Sequence, residues 1–335
     1  MKHILIVGAG GIGERHIRCF LATNRSKVSV CDSRKERLEE IRKSYPIEET
    51  FLSFEGISLD RFDGVVIATP AHLHVPMAIR CAEYSVPCLI EKPLSVNLVD
   101  VDRLIDLANR KRLIMGVAYV RRSLPSYKRL KELVDEDTIG ILRMGRFNMS
   151  QEYPKYRPDY LNIYYAREET GGGCILDAAT HAINLAQYYF GEIEDAVGFY
   201  DHLELKGVSV EDSTVIILRF KNRALVDILV NQFQKPNITE VELIGNKGNL
   251  KYIVNRSVHQ ILFCNSDENN WEEMFTYNFT SDDPFIFQAN EFLNVLEGKG
   301  VLPTGLEEAK ETLITALSIK DFQKERRFVW KEVGC

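Results

Sequence analysis

The feature that most restricts the fold is the start of the chain, where Ile4-Leu5-Ile6-Val7 runs directly into Gly8-Ala9-Gly10-Gly11-Ile12-Gly13 and then into a helical pattern. A short unbroken apolar run of this kind reads as a strand buried on both faces. The three spaced glycines have separate jobs. Gly8 permits the tight turn, Gly10 lets a backbone approach a pyrophosphate, and Gly13 lets the helix pack closely on the strand. The N-terminus of the helix that follows then faces the anion.

A second strand ends at Asp32, nineteen residues after Gly13. An acid at that spacing accepts hydrogen bonds from the hydroxyls of an adenosine ribose and repels the extra phosphate of NADP, so NAD is the expected cofactor. Ser33 and Arg34 follow at once, and Arg34 could clamp that phosphate, which leaves NADP open.

The first third of the chain continues this alternation. Strands are expected at Ile4–Val7, Val28–Cys31, Val65–Ala68, Cys88–Ile90 and Ile114–Tyr119, with amphipathic helices at Arg34–Lys43, His72–Tyr84 and Val96–Arg110. That order predicts an α/β fold beginning with a doubly wound dinucleotide-binding (Rossmann) domain over residues 1–121. Beyond Pro125 the pattern changes. A helix at Ser126–Asp135 gives way to strand-like runs at Thr214–Phe220, Leu225–Gln232, Thr239–Ile244, Leu250–Val254, His259–Phe263 and Met274–Phe279. Helices at Phe285–Leu296 and Leu306–Lys324 complete an α+β domain over 122–335.

Composition narrows the partners. With 45% apolar and 27% charged residues the chain is typical of folded soluble proteins, and its net charge of −6 gives no basic footprint for nucleic acid. Arg121-Arg122, Lys128-Arg129 and Arg326-Arg327 are pairs, not runs. Seven cysteines, an odd number without the two-residue gap of zinc or redox motifs, predict reduced thiols in a cytoplasmic protein. The first apolar run is too short for a signal peptide or a membrane span.

Two places could carry chemistry. Ligands of open α/β sheets bind beyond the carboxyl ends of the strands, where this chain places Thr69-Pro70 and Glu91-Lys92-Pro93. Lys92 could stabilise a developing alkoxide, although Glu-Lys-Pro by itself is only a charged turn. His72 and His74, two apart, point to different helix faces, so no metal is expected and His74 is assigned to orienting the cofactor-side loop. Further on, Gly171-Gly172-Gly173 leads into an apolar helix with Asp177 and His181 four apart on one face and Asn184 nearby. A buried carboxylate needs partners or a cleft, and an imidazole can serve as a general base near neutral pH. Mutual satisfaction of Asp177 and His181 inside a core is the alternative.

Taken together, the glycine turn, Thr69-Pro70-Ala71-His72-Leu73-His74, Glu91-Lys92-Pro93, Arg121-Arg122-Ser123-Leu124-Pro125-Ser126-Tyr127 and Gly171-Gly172-Gly173…Asp177…His181 resemble the Gfo/Idh/MocA oxidoreductase family. The resemblance implies a second domain built on a large, mainly antiparallel sheet, whose exposed face often makes homodimers or homotetramers. It implies Lys92, Asp177 and His181 as catalytic residues and a Lys-Pro bond that is often cis. The cofactor set would comprise Gly8, Gly10, Gly11, Ile12, Gly13, Asp32, Ser33, Arg34, Thr69, Pro70, His74, Glu91 and Lys92. Substrate contacts would come from Lys92, Arg122, Tyr160, Tyr164, Asp177, His181 and Asn184, with Tyr156, Arg157 and Tyr165 also in the loop. Relatives often have glycine and an acid where this chain has Ala179 and Asn184, so no single relative's specificity carries over.

The expected activity is hydride transfer to or from a hydroxyl-bearing carbon of a sugar, sugar derivative or cyclitol. Two rivals are a glycosidase acting through transient oxidation and elimination with NAD, and a non-catalytic dinucleotide sensor.

Overall fold

In the computed structural model, residues 1–265 and 270–325 are described; Arg326-Arg327 and Cys335 lie outside them. The first sheet is parallel and six-stranded, in the order β3-β2-β1-β4-β5-β6. Its strands are β1 (Lys2–Val7), β2 (Ser26–Cys31), β3 (Ile47–Phe51), β4 (Gly64–Ile67), β5 (Cys88–Ile90) and β6 (Met115–Val117). The order reverses between β1 and β4, and a crevice for a dinucleotide opens beyond their carboxyl ends. Strand β3 escapes the sequence reading because Glu48, Glu49 and Thr50 interrupt its apolar pattern at the sheet edge.

Alternate side chains of β1 enter different cores. Leu5 and Val7 pack with α3 (His74–Glu83) and α4 (Val101–Lys111), whereas Ile4 and Ile6 pack with Ile17 and Phe20 of α1 (Gly11–Ala22). Helix α2 (Lys35–Ser44) adds Leu38 and Ile41 to the second core, and α5 (Pro125–Asp135) follows the sheet. Although remote in sequence, Ala289, Phe292 and Leu293 complete that second core. Phe292 packs so closely that a Cβ on Gly64 would come within 2.9 Å of its ring.

The second sheet has eight strands in the order β14-β13-β12-β11-β7-β10-β9-β8. They are β7 (Leu142–Glu152), β8 (Ile193–Asp201), β9 (Ser213–Phe220), β10 (Leu225–Asn231), β11 (Phe233–Gly245), β12 (Gly248–Asn255), β13 (Val258–Asn265) and β14 (Glu272–Asn278). All neighbours are antiparallel except β7 and β10. The sequence reading misses β7 and β8, where exposed residues such as Arg143, Arg146, Glu194 and Asp195 interrupt the apolar pattern. A short helix α6 (Tyr153–Tyr156) leaves β7, and α7 (Thr180–Phe190), α8 (Asp283–Leu296) and α9 (Leu306–Glu325) complete the chain. Ile216, Leu218, Phe220, Val226, Ile228 and Val230 face the helix-covered core and are buried. Among the described residues no helix is long and apolar enough to cross a membrane.

Candidate active site

The glycine turn is built as a close approach of two strand ends. Gly8 has φ +95°, and any Cβ there would meet Ala68 O at 2.5 Å. A Cβ on Gly13 would meet Gly8 O at 1.8 Å, so only glycine lets α1 start against β1. Beside Gly10 and Gly11, by contrast, a Cβ would have open space within 4 Å. A cradle of free space over a helix N-terminus fits a dinucleotide pyrophosphate. Arg37 Nε holds the turn from behind by donating to Ala9 O at 2.7 Å, a support the sequence reading did not identify.

At the end of β2, Asp32 Oδ2 accepts the Ala9 amide at 2.7 Å, which joins the carboxylate to the glycine turn. Arg34 donates its amide and Nε to Oδ1 and its Nη2 to Oδ2, all at 2.9 Å. Burial opposes the charge of Asp32, but the Arg34 contacts and the Ala9 amide prevail and hold its carboxyl below the usual range. Arg34 thus neutralises the residue expected to repel a ribose phosphate. Ser33 lies exposed beside it.

His74 joins the two loops at the carboxyl ends of β4 and β5. Its Nδ1 lies 2.8 Å from Pro93 O and its Nε2 2.8 Å from Thr69 O. Glu91 is similarly engaged: Oε1 lies 2.7 Å from His16 Nε2 on α1, and Oε2 accepts the Lys92 amide at 3.1 Å. These contacts fix the loops at the cofactor edge, the orienting part the sequence assigns to His74, and Thr69 and the exposed Pro70 lie at the same strand end. The Lys92–Pro93 bond is cis.

Lys92 crosses to the second domain. Its Nζ donates to Asp177 Oδ1 at 2.8 Å and to the main-chain oxygen of Asp177 at 2.6 Å. Tyr164 OH donates to the same Oδ1 at 2.6 Å. Residues Ile175–Ala179 form a π-helical turn ahead of α7, a wide turn of the kind frequent at functional sites. The sequence suggested one regular helix there. Burial works to raise the Asp177 carboxyl, but the Lys92 charge and hydrogen bond, with Tyr164, hold it below its ordinary value. Burial and the Asp177 charge in turn push the Tyr164 phenol well up.

His181 lies one turn beyond Asp177, with Tyr119 edge-on to its ring at 5.8 Å between centroids. No hydrogen bond joins Asp177 and His181, so they do not satisfy each other as a core pair would. Burial, reinforced by Lys92 and Arg121, depresses the imidazole pKa far below 6.5, which leaves His181 neutral at neutral pH. Its Nδ1 is buried without a hydrogen-bond partner.

Tyr160, Arg122 and Asn184 each have partners within the protein. Tyr160 OH donates to Lys206 O at 2.7 Å, packing the loop against the 203–210 segment. Arg122, 7% exposed, donates to Glu308 Oε1 at 2.6 Å and Pro303 O at 2.7 Å, and stacks 3.9 Å over the Tyr188 ring. Asn184 is fully buried between Arg122 and Thr312. Arg122 and Asn184 thereby tie α7 to α9. Of the other loop residues, Tyr165 is fully buried, while Tyr156 and Arg157 are exposed.

Comparison with known proteins agrees with this architecture. Residues 2–119 match the model for the oxidoreductase family with NAD-binding Rossmann fold, and residues 127–251 match the GFO/IDH/MocA C-terminal domain. The chain is 26% identical over 333 residues to myo-inositol 2-dehydrogenase of Thermotoga maritima, with 97% of each chain covered. It is 25% identical over 281 residues to levoglucosan dehydrogenase of Pseudarthrobacter phenanthrenivorans, covering 74% of this chain and 72% of that one. A levoglucosan dehydrogenase structure in complex with NADH and levoglucosan superposes with a TM-score of 0.85 at 21% identity, covering 96% of both chains. Two matched domains in order establish the chain as a member of the GFO/IDH/MocA oxidoreductase family, NAD(P)-dependent dehydrogenases of sugars and cyclitols.

Proposed function

We propose that the protein transfers a hydride between NAD and a hydroxyl-bearing carbon of a sugar, sugar derivative or cyclitol. The observation that carries this reading is the convergence of Lys92 and Tyr164 on Asp177 beyond the carboxyl end of β5, with a neutral His181 one turn away. The relatives named as inositol and levoglucosan dehydrogenases support the substrate class.

NAD, when bound, supplies the hydride acceptor, held by Gly8 to Gly13 and Asp32. The remaining chemistry belongs to side chains. His181 Nε2 takes the proton of the substrate hydroxyl, because Nδ1 is closed off by burial. Lys92 has two of its three N–H groups on Asp177 and directs the third at the reacting oxygen, where its charge stabilises the alkoxide. Asp177 keeps Lys92 aimed and offers Oδ2 to a neighbouring hydroxyl. In reduction, His181 returns the proton.

A panel of polyols, aldoses and sugar nucleotides, assayed with NAD and NADP for nicotinamide absorbance and released products, tests the reading. Net cofactor reduction with one of these substrates is the expected result. Hydrolysis without net cofactor turnover would favour transient oxidation and elimination, and cofactor binding without reaction would favour a sensor.

A further inference from the structure

A buried ion pair lies directly behind the π-turn that carries Asp177. Glu211 precedes β9 and is 6% exposed. Its main-chain oxygen accepts the Cys174 amide at 2.8 Å, and its Oε1 accepts the Ile175 amide at 3.2 Å. Gly173 has φ +94°, and a Cβ there would fall 2.4–2.5 Å from three atoms of the Glu211 carboxyl group. The last glycine of the Gly171-Gly172-Gly173 run is therefore required by this carboxylate as well as by its own backbone.

The charge is balanced from α9. Lys320 is 4% exposed, and its Nζ lies 3.3 Å from Glu211 Oε2 and 3.1 Å from Glu168 Oε1. The next residue, Asp212, accepts the amides of Leu203, Glu204 and Leu205 at 2.9, 2.7 and 2.7 Å, anchoring the segment that carries Glu211. On the other side, the Asp177 amide donates to Gly173 O at 3.0 Å. A continuous path thus runs from Lys320 through Glu211 and the Gly173–Ile175 backbone to Asp177 and Lys92. A carboxylate at the head of a helical segment also complements its free amides.

We propose that Glu211, neutralised by Lys320, is a positioning residue that sets the π-turn so that both oxygens of Asp177 which bind Lys92 face the lysine. This builds on the proposed role of Lys92 and Asp177, but the contact itself can be read without turnover. Removing the carboxylate frees the Ile175 amide, loosens the turn and exposes the Lys92 amine.

Acetic anhydride labelling of the full chain, with peptide mass spectrometry, measures that exposure directly, and Lys35, whose side chain is 72% exposed, serves as internal reference. In Glu211→Ala, acetylation of Lys92 relative to Lys35 should rise roughly fivefold, the scale of one lost hydrogen bond. Glu211→Gln, which keeps an acceptor for Ile175, should restore most of the protection. If Glu211→Ala does not fold, Glu211→Ala/Lys320→Met removes both buried charges and should show the same rise. Unchanged Lys92 labelling in a folded variant lacking the carboxylate would overturn the inference whatever the turnover. Increased labelling with undiminished turnover on a verified substrate would leave the inference intact and contradict the proposed use of Lys92.

Discussion

Lys92 holds Asp177 at two points, its side-chain Oδ1 at 2.8 Å and its main-chain oxygen at 2.6 Å, across a sequence separation of 85 residues. The lysine comes from the end of a parallel strand in the first domain, and the aspartate from a π-turn in the second. The contact fixes the relation of the cofactor crevice to the helix that carries His181. Asp177→Asn retains the shape but removes the charge, so Lys92 loses its ion-pair partner. Turnover should fall roughly a hundredfold, the scale of losing a transition-state electrostatic contact. The loss in Lys92→Met/Asp177→Asn should be far smaller than the product of the two single losses, because the residues act as one unit. Steady-state kinetics of the four proteins decide this; multiplicative losses would show that the two act independently.

The depressed pKa of His181 has a definite sign in stability. The folded protein holds the imidazole neutral below pH 6.5, whereas the unfolded chain takes up a proton there. Stability from this group is complete above the unfolded value and is lost as pH falls below it toward the folded value. His181→Asn should therefore lose less stability than the parent between about pH 7 and pH 5, as measured by urea midpoints, since no histidine at 181 is left to charge. Parallel losses in both proteins would contradict a neutral His181 in the folded protein.

Cofactor choice turns on Asp32 and Arg34. The carboxylate is joined to the glycine turn through Ala9, whereas the Arg34 side chain is 59% exposed and able to swing aside. NAD should bind more tightly than NADP, and Arg34→Ala should widen the difference by exposing an unneutralised carboxylate. Fluorescence titration of both cofactors checks this. A clear preference for NADP would show that Arg34 governs the pocket.

The second sheet has an apolar face outside its helix-covered side. Phe199, Val215, Ile217 and Leu229 are 37–49% exposed on β8, β9 and β10, with Phe199 opposite Val215 and Val215 opposite Leu229. A face of this composition suits a second copy of the chain, and a sheet-mediated homodimer or homotetramer is expected. Val215→Glu/Ile217→Lys should convert it to monomer in light scattering at micromolar concentration. A parent protein already monomeric there would refute the interface.

The sequence reveals what is local. The glycine turn, Asp32, Lys92 and the Asp177–His181 spacing each lie within one turn, one strand end or one helical repeat. The reading fails where partners are remote. Glu91 meets His16 across 75 residues and Lys320 meets Glu211 across 109, and neither pairing leaves a local pattern. Arg122 likewise bonds Asn184 across 62 residues and Glu308 across 186, contacts that appear only once α7 packs against α9. The edge strand Ile47–Phe51 is missed for a different reason: it is half-solvated, so its polar residues hide the alternation.

The most direct test of the central claim is single-turnover reduction of NAD on a substrate identified from the panel, compared among the parent, Lys92→Met and His181→Asn. Lys92→Met leaves Asp177 with Tyr164 alone and should cost some stability, so melting temperature is measured alongside. Both variants should bind NAD as the parent does, because Gly8 to Gly13 and Asp32 are untouched, yet transfer hydride roughly a hundredfold more slowly. Near-parental hydride transfer in either folded variant would contradict the role assigned to that residue.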